Sequence, residues 1–132
     1  PRGVRLGTRR EIAYLPAMAH RLSPAEEALL RDYVARLLAA APPDVIAAVR
    51  VFGSRARGAS GPDSDLDVAI ELRDGADRRR LHALAADLAF DAMEARDAHD
   101  LGLAPVVLPP GPRTGLRDAV ARDGIDVWRA GW

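Results

Sequence analysis

Residues 52–68 read FGSRARGASGPDSDLDV, and this stretch decides how the rest of the chain is interpreted. Gly53 and Ser54 follow an apolar run and lead into an arginine-containing turn. Asp65 and Asp67, with one leucine between them, begin a second apolar run. The order is therefore a strand, a glycine-serine turn, and a second strand that opens with two carboxylates.

The two carboxylates are expected to project from the same side of the second strand, because positions i and i+2 of a strand share a face. Like charges this close repel, and one of them stays protonated unless a cation lies between them. Oxygen ligands without histidine or cysteine favour Mg²⁺ or Mn²⁺. We therefore interpret Asp65 and Asp67 as half of a metal site, to be completed by the phosphates of a nucleotide. Glu71 shares their face but lies further along the strand, and is a secondary candidate.

The turn between the two strands has features that suit a phosphate group. Gly53 and Gly58 let the backbone approach an anion closely, because glycine has no Cβ. A short helix beginning near Ser54 would direct free N–H groups at the phosphates. The Ser54 hydroxyl can donate to a phosphate oxygen, and Arg55 or Arg57 can add a forked contact. These residues are the predicted nucleotide-binding half of the site.

Hydrophobic periodicity places this motif in a single domain spanning 23–132, preceded by an N-terminal arm at 1–22. The predicted helices span 24–41, 77–96 and 114–124, and the predicted strands span 45–52, 66–72, 103–108 and 125–128. Ser23, Pro24 and Glu26 form a capping-box signature at the start of the first helix. Pro105 predicts that its strand lies at an edge of the sheet or carries a bulge.

Composition narrows the class of protein further. The 132 residues carry 19 basic and 19 acidic side chains, and zero net charge argues against a protein that grips long nucleic acid. The chain has no cysteine, which favours a reducing cytoplasm and excludes thiolate metal sites. No apolar run is long enough to span a bilayer, and we expect neither a signal peptide nor a membrane contact.

The segments FGSRARG and DLDVAIEL, separated by six residues, resemble the nucleotidyltransferase superfamily of DNA polymerase beta. The resemblance is closest to the minimal nucleotidyltransferases, small bacterial and archaeal proteins often paired with a HEPN-domain partner in toxin–antitoxin operons. It implies an α/β (α+β) fold in which a mixed sheet of about four strands is flanked by helices. It also implies a nucleoside triphosphate at Gly53 and Ser54, and a divalent metal at Asp65 and Asp67. The implied reaction transfers a nucleoside monophosphate to an acceptor hydroxyl and releases pyrophosphate.

The sequence departs from the family at one position. The family supplies a third carboxylate from a strand neighbouring the first two, but the corresponding strand here offers Ala104 or Pro105 at that place. Asp100 lies just before this strand, and Asp91 and Glu94 lie on the preceding helix; these three are the candidates to supply the missing carboxylate. Without a third carboxylate, the metal that activates the acceptor is poorly held.

Three hypotheses follow for the function. The first is a metal-dependent transferase that uses ATP and modifies a hydroxyl on a partner protein, since this chain has no second domain for a small acceptor. The second is an antitoxin-like subunit of a HEPN pair, with a degenerate or regulatory nucleotide site. The third, a nucleic-acid end modifier, is disfavoured by the zero net charge. The strand at 103–108 and the C-terminal aromatic residues would also be compatible with a homodimer.

Overall fold

The computed structural model describes residues 22–53, 65–98, 101–112 and 115–131 of the chain. The helices are α1 (Pro24–Ala40), α2 (Arg78–Ala95) and α3 (Gly115–Asp123), and the strands are β1 (Ile46–Phe52), β2 (Leu66–Leu72), β3 (Leu103–Leu108) and β4 (Ile125–Arg129). The element order predicted from the sequence is confirmed, with bounds that differ by at most one residue. Apart from Leu22, the predicted arm lies outside the described residues.

Local side-chain contacts explain where the two long helices begin. At the start of α1, the Ser23 hydroxyl accepts the Glu26 N–H at 3.1 Å, and the Glu26 carboxylate accepts the Ser23 N–H at 2.8 Å. This is the reciprocal capping box that the sequence predicted, with Pro24 at the first helical position. At the start of α2, the Asp77 carboxylate accepts the Arg80 N–H at 3.2 Å. Each cap satisfies N–H groups that have no partner within the helix.

The four strands form one mixed sheet in the order β3-β2-β1-β4. β1 is antiparallel to both β2 and β4, whereas β2 is parallel to β3. The parallel pair is connected through α2, as a parallel connection requires. Pro105 lies in β3, an edge strand, as its missing N–H predicted. The fold class is thus confirmed, and β2, which begins between the two aspartates, is paired on both sides.

The two faces of the sheet are covered by different helices. One face packs against α1 and α2 in a buried apolar cluster that includes Leu66, Val68 and Ile70 of β2. The helices also contact each other directly, because the buried Tyr33 hydroxyl donates to the Ala85 carbonyl at 2.9 Å. The other face carries a smaller cluster under α3, in which Val120 packs with Ala69 and Leu108. None of the helices in the described ranges is both long and apolar enough to cross a bilayer.

A group of charged side chains ties three strands together on the α3 side. The Arg50 Nε of β1 lies 3.0 Å from a Glu71 oxygen of β2 and 2.8 Å from an Asp126 oxygen of β4. The N–H of Arg50 is not aligned with either oxygen, so these contacts are electrostatic rather than directed hydrogen bonds. Asp126 is also bound by Arg129, at 3.1 Å. We call Arg50, Glu71 and Asp126 the three-strand cluster.

Candidate active site

Asp65 and Asp67 lie where β2 begins, in the interior of the sheet. Asp65 immediately precedes the strand, and Asp67 is its second residue. The buried side chains of Leu66 and Val68 point into the core on the α1–α2 face, so Asp67 projects from the opposite face. The strand neighbours of Asp67 are Phe52 in β1 and Ala104 in β3. Pairing on both sides fixes the backbone that carries the carboxylate.

Gly53 is packed directly against Asp67. It follows β1 with φ +77, a conformation that residues with a side chain rarely adopt. A Cβ at this position would overlap the Asp67 Oδ2 atom. The absence of a side chain therefore has two effects here, since it permits the turn and leaves room for the carboxylate.

A second glycine lies against the other carboxylate. Gly102 has φ +55, and a Cβ there would lie 2.5 Å from Asp65 Oδ1. The Gly102 carbonyl also accepts the Leu66 N–H at 2.9 Å, which extends the β2–β3 pairing to the level of Asp65. No motif in the sequence marked Gly102 as a residue of the site. Its only signal was a glycine directly before the third strand, and its proximity to Asp65 follows from the parallel pairing of two distant segments.

The surroundings of Asp67 disfavour its negative charge. Partial burial is the main cause that raises the pKa of the Asp67 carboxyl group, and the nearby charge of Asp65 raises it further. Phe52, its partner in β1, packs with the apolar cluster under α3. A divalent cation between the two carboxylates would remove the repulsion. Two hard oxygen donors of this kind fit Mg²⁺ or Mn²⁺.

The remaining predicted nucleotide-binding residues fall outside the described part of the chain. Ser54, Arg55 and Arg57 belong to the stretch 54–64, which separates β1 from β2. Their roles in holding phosphate groups stay predictions. Gly53, which directly follows β1, is the predicted nucleotide-binding residue that lies within the described ranges.

No third carboxylate joins Asp65 and Asp67 among the described residues. Ala104 is the β3 neighbour of Asp67 and shares its face, so this position offers a methyl group rather than an acid. Asp91 and Glu94 lie on exposed positions of α2, which packs on the opposite face of the sheet. Asp100 lies outside the described ranges. Within those ranges, no three side chains of the aspartate, glutamate, histidine or cysteine types are placed to share a metal ion.

Glu71, the secondary candidate for a metal ligand, has surroundings different from those of Asp65 and Asp67. It lies four residues beyond Asp67 on the same face of β2, and its carboxylate contacts Arg50 at 3.0 Å. A cavity of about 250 Å³ opens beside it under α3, lined by Arg50, Glu71, Leu108, Gly111, Arg117, Val120 and Ala121. Neither Asp65 nor Asp67 lines this cavity. Glu71 is therefore part of the three-strand cluster and not of the carboxylate pair.

Comparison with known proteins gives one family match. The family model described as a nucleotidyltransferase domain matches residues 30–115, from the middle of α1 to the start of α3. No curated protein sequence matches the chain significantly. A chain in a crystal structure of a toxin-antitoxin with AMP-PNP is 22% identical, with a TM-score of 0.49, and the alignment covers 75% of this chain and 73% of that chain. At this level of similarity, neither function nor partner transfers to the present chain.

Proposed function

This chain belongs to the nucleotidyltransferase domain family, and we propose that it is a metal-dependent nucleotidyltransferase acting on a hydroxyl group of a partner protein. The observation that carries the proposal is the closeness of Asp65 and Asp67 at the start of β2, where each is packed against a glycine. The donor substrate is a nucleoside triphosphate, with ATP as the first candidate. The resemblance of the motif to minimal nucleotidyltransferases supports a HEPN-domain protein as the acceptor.

In the proposed reaction, the acceptor hydroxyl oxygen bonds to the α-phosphorus and releases its proton to solvent. The bond between the α-phosphorus and the oxygen that bridges to the β-phosphate breaks, so that pyrophosphate leaves. Asp65 and Asp67 would hold Mg²⁺ or Mn²⁺. The positive charge of the ion would stabilise the phosphate oxygens that become more negative in the transition state. Their carboxylates need no large rearrangement, because β1 and β3 hold β2 in place. Without a Cβ at Gly53, the Asp67 carboxylate keeps its place directly beside the turn that would hold the triphosphate.

Binding of a metal-loaded nucleotide is the first test of this proposal. We expect calorimetry to detect Mg-ATP binding to the full chain, and Asp65→Asn with Asp67→Asn to weaken it at least about tenfold, the scale seen when groups that support a metal site are lost. Transfer is then measured with α-labelled nucleoside triphosphates and the purified protein encoded by the neighbouring gene.

The matched control is the double variant Asp87→Asn with Asp91→Asn, which removes the same charge from exposed positions of α2. This control should bind Mg-ATP like the wild type. Failure of the wild type to bind ATP, GTP, CTP or UTP with either Mg²⁺ or Mn²⁺ would refute the proposal.

A second function is favoured by one specific observation, namely Ala104 at the position beside Asp67. A site with two carboxylates can hold one metal and a nucleotide yet activate an acceptor hydroxyl poorly. In that case the protein would act as an antitoxin-like subunit that masks its partner by contact, with a degenerate or regulatory nucleotide site.

The two functions differ in what the carboxylates contribute to neutralising a partner. If masking is the function, a chain with Asp65→Asn and Asp67→Asn should still protect cells from a toxic partner. If transfer is the function, protection and the covalent label on the partner should disappear together in this variant. The variant with Asp87→Asn and Asp91→Asn should protect in both cases.

A further inference from the structure

Gly102 makes a contact with Asp65 that a residue with a side chain could not make. Its Cα is so close to the carboxylate that an added Cβ would lie 2.5 Å from Asp65 Oδ1, well inside van der Waals contact. We propose that Gly102 is a positioning residue that sets the orientation of the Asp65 carboxylate for metal and nucleotide binding. The inference rests on the proposed function, because it assigns Gly102 a part in the same site.

The contact belongs to the geometry of the sheet. Leu66 pairs with Leu103 in the parallel β2–β3 ladder, which brings the preceding residues Asp65 and Gly102 to the same level. The Leu66 N–H donates to the Gly102 carbonyl at 2.9 Å, so the distance between the two backbones is fixed at this point. A side chain at 102 could be accommodated only if the Asp65 carboxylate rotated away or the ladder opened at its end.

This role differs from the ordinary role of a glycine in a turn. Gly102 and Gly75 both have positive φ, of +55 and +85, so a substitution at either position strains the backbone. However, a Cβ at Gly75 would meet nothing within 4 Å. Gly75 is therefore a matched control, because a substitution there strains the backbone but brings no Cβ near a carboxylate.

The test compares Gly102→Ala with Gly75→Ala in the full-length protein, using calorimetric binding of Mn²⁺-ATP. We expect Gly102→Ala to weaken binding about 10–100-fold, as for loss of an outer partner of a metal ligand, and Gly75→Ala to bind like the wild type. If Gly102→Ala does not fold, Gly102→Asn replaces it, because asparagine tolerates positive φ while still adding a Cβ.

A double-mutant cycle with Asp65→Ala decides whether Gly102 acts through Asp65. We expect Gly102→Ala to have no further effect on Mn²⁺-ATP affinity once Asp65 is alanine. Equal losses in both backgrounds, or wild-type affinity in Gly102→Ala, would overturn the inference while leaving the proposed function intact. The proposed function itself fails if the wild type binds none of ATP, GTP, CTP and UTP with Mg²⁺ or Mn²⁺, and the inference then falls with it.

The NMR chemical shift of the Asp65 side-chain carboxyl carbon gives a readout that is independent of nucleotide. It should change in the metal-free Gly102→Ala protein and stay unchanged in Gly75→Ala. An unchanged Asp65 shift in a folded Gly102→Ala or Gly102→Asn protein would contradict the inference directly.

Discussion

The effect of the candidate site on the free energy of unfolding can be measured at a single residue, Asp67. Its carboxyl group sits where partial burial and the charge of Asp65 both oppose ionisation, so its pKa is raised. Because the folded state binds this proton more tightly than the unfolded state does, ionisation at higher pH reduces the free energy of unfolding. The metal-free protein is therefore expected to be less stable at neutral pH than it would be with a neutral side chain at this position.

The variant Asp67→Asn should consequently melt at a higher temperature than the wild type at neutral pH. The difference should shrink towards zero as the pH falls below the ordinary aspartate pKa of about 3.9, where the wild-type carboxyl group is protonated in both states. Thermal unfolding of both proteins without divalent metal, followed between acidic and neutral pH, measures this difference.

Asp87→Asn, at an exposed position of α2, is the control for a general effect of removing one negative charge. It should show no comparable rise in melting temperature. Added Mg-ATP should stabilise the wild type and Asp87→Asn but not Asp67→Asn, because a ligand stabilises only a folded state that binds it. A lower melting temperature for metal-free Asp67→Asn at neutral pH would contradict the account.

At the scale of elements, the pairing of β2 with β3 decides which side chains share a face with the site. Asp67 is aligned with Ala104, and neighbouring strands lie about 4.8 Å apart. The alignment places position 104 within reach of a metal that Asp67 would hold. Ala104 is therefore the position in β3 at which the chain could be given a third carboxylate.

We expect Ala104→Asp to tighten Mn²⁺-ATP binding by about tenfold, because a further charged oxygen ligand strengthens a site of this kind. It should also lower the melting temperature of the metal-free protein, because a third negative charge joins two others. Ala104→Asn has nearly the same shape without the charge and is the matched control. Tightening in both variants, or in neither, would show that position 104 does not face the metal.

The elements themselves could be predicted from local patterns, whereas their contacts could not. Alternating apolar residues gave the bounds of Leu66–Leu72, and the serine, proline and glutamate of the capping box gave the start of α1, since both signals are contained in a few adjacent residues. The contact of Gly102 with Asp65 and the bond from Tyr33 to Ala85 join segments far apart in the chain. Such contacts follow from strand register and helix packing, which no short stretch of sequence encodes.

At the scale of the whole molecule, the three-strand cluster links the last strand to the strands that carry the site. Arg50, Glu71 and Asp126 come from β1, β2 and β4, and their side chains are 17%, 22% and 34% exposed. Removing the Arg50 guanidinium would leave the partly buried Glu71 and Asp126 carboxylates near each other, with Arg129 still bound to Asp126. The cluster is thus expected to matter for global stability rather than for binding at Asp67.

Arg50→Met keeps most of the apolar stem of the side chain and removes its charge. We expect it to lower the free energy of unfolding by about 1–3 kcal/mol, less than the usual cost of breaking a fully buried pair, because solvent screens these groups in part. Urea denaturation measures the change. Adding Glu71→Gln should recover part of the loss, and Mn²⁺-ATP affinity should stay at the wild-type value, so a large loss of affinity would contradict the separation of the two regions.

The small side chain beside Asp67 also has a consequence for how this protein can evolve. Alanine codons differ from those of aspartate and glutamate by a single change at the middle base, and Ala104 already lies in register with Asp67. One point mutation therefore separates a site with two acids from a site with three, without any insertion or change of register. Related genes can be expected to gain and lose the third acid repeatedly, so that efficient and inefficient transferases arise on the same fold.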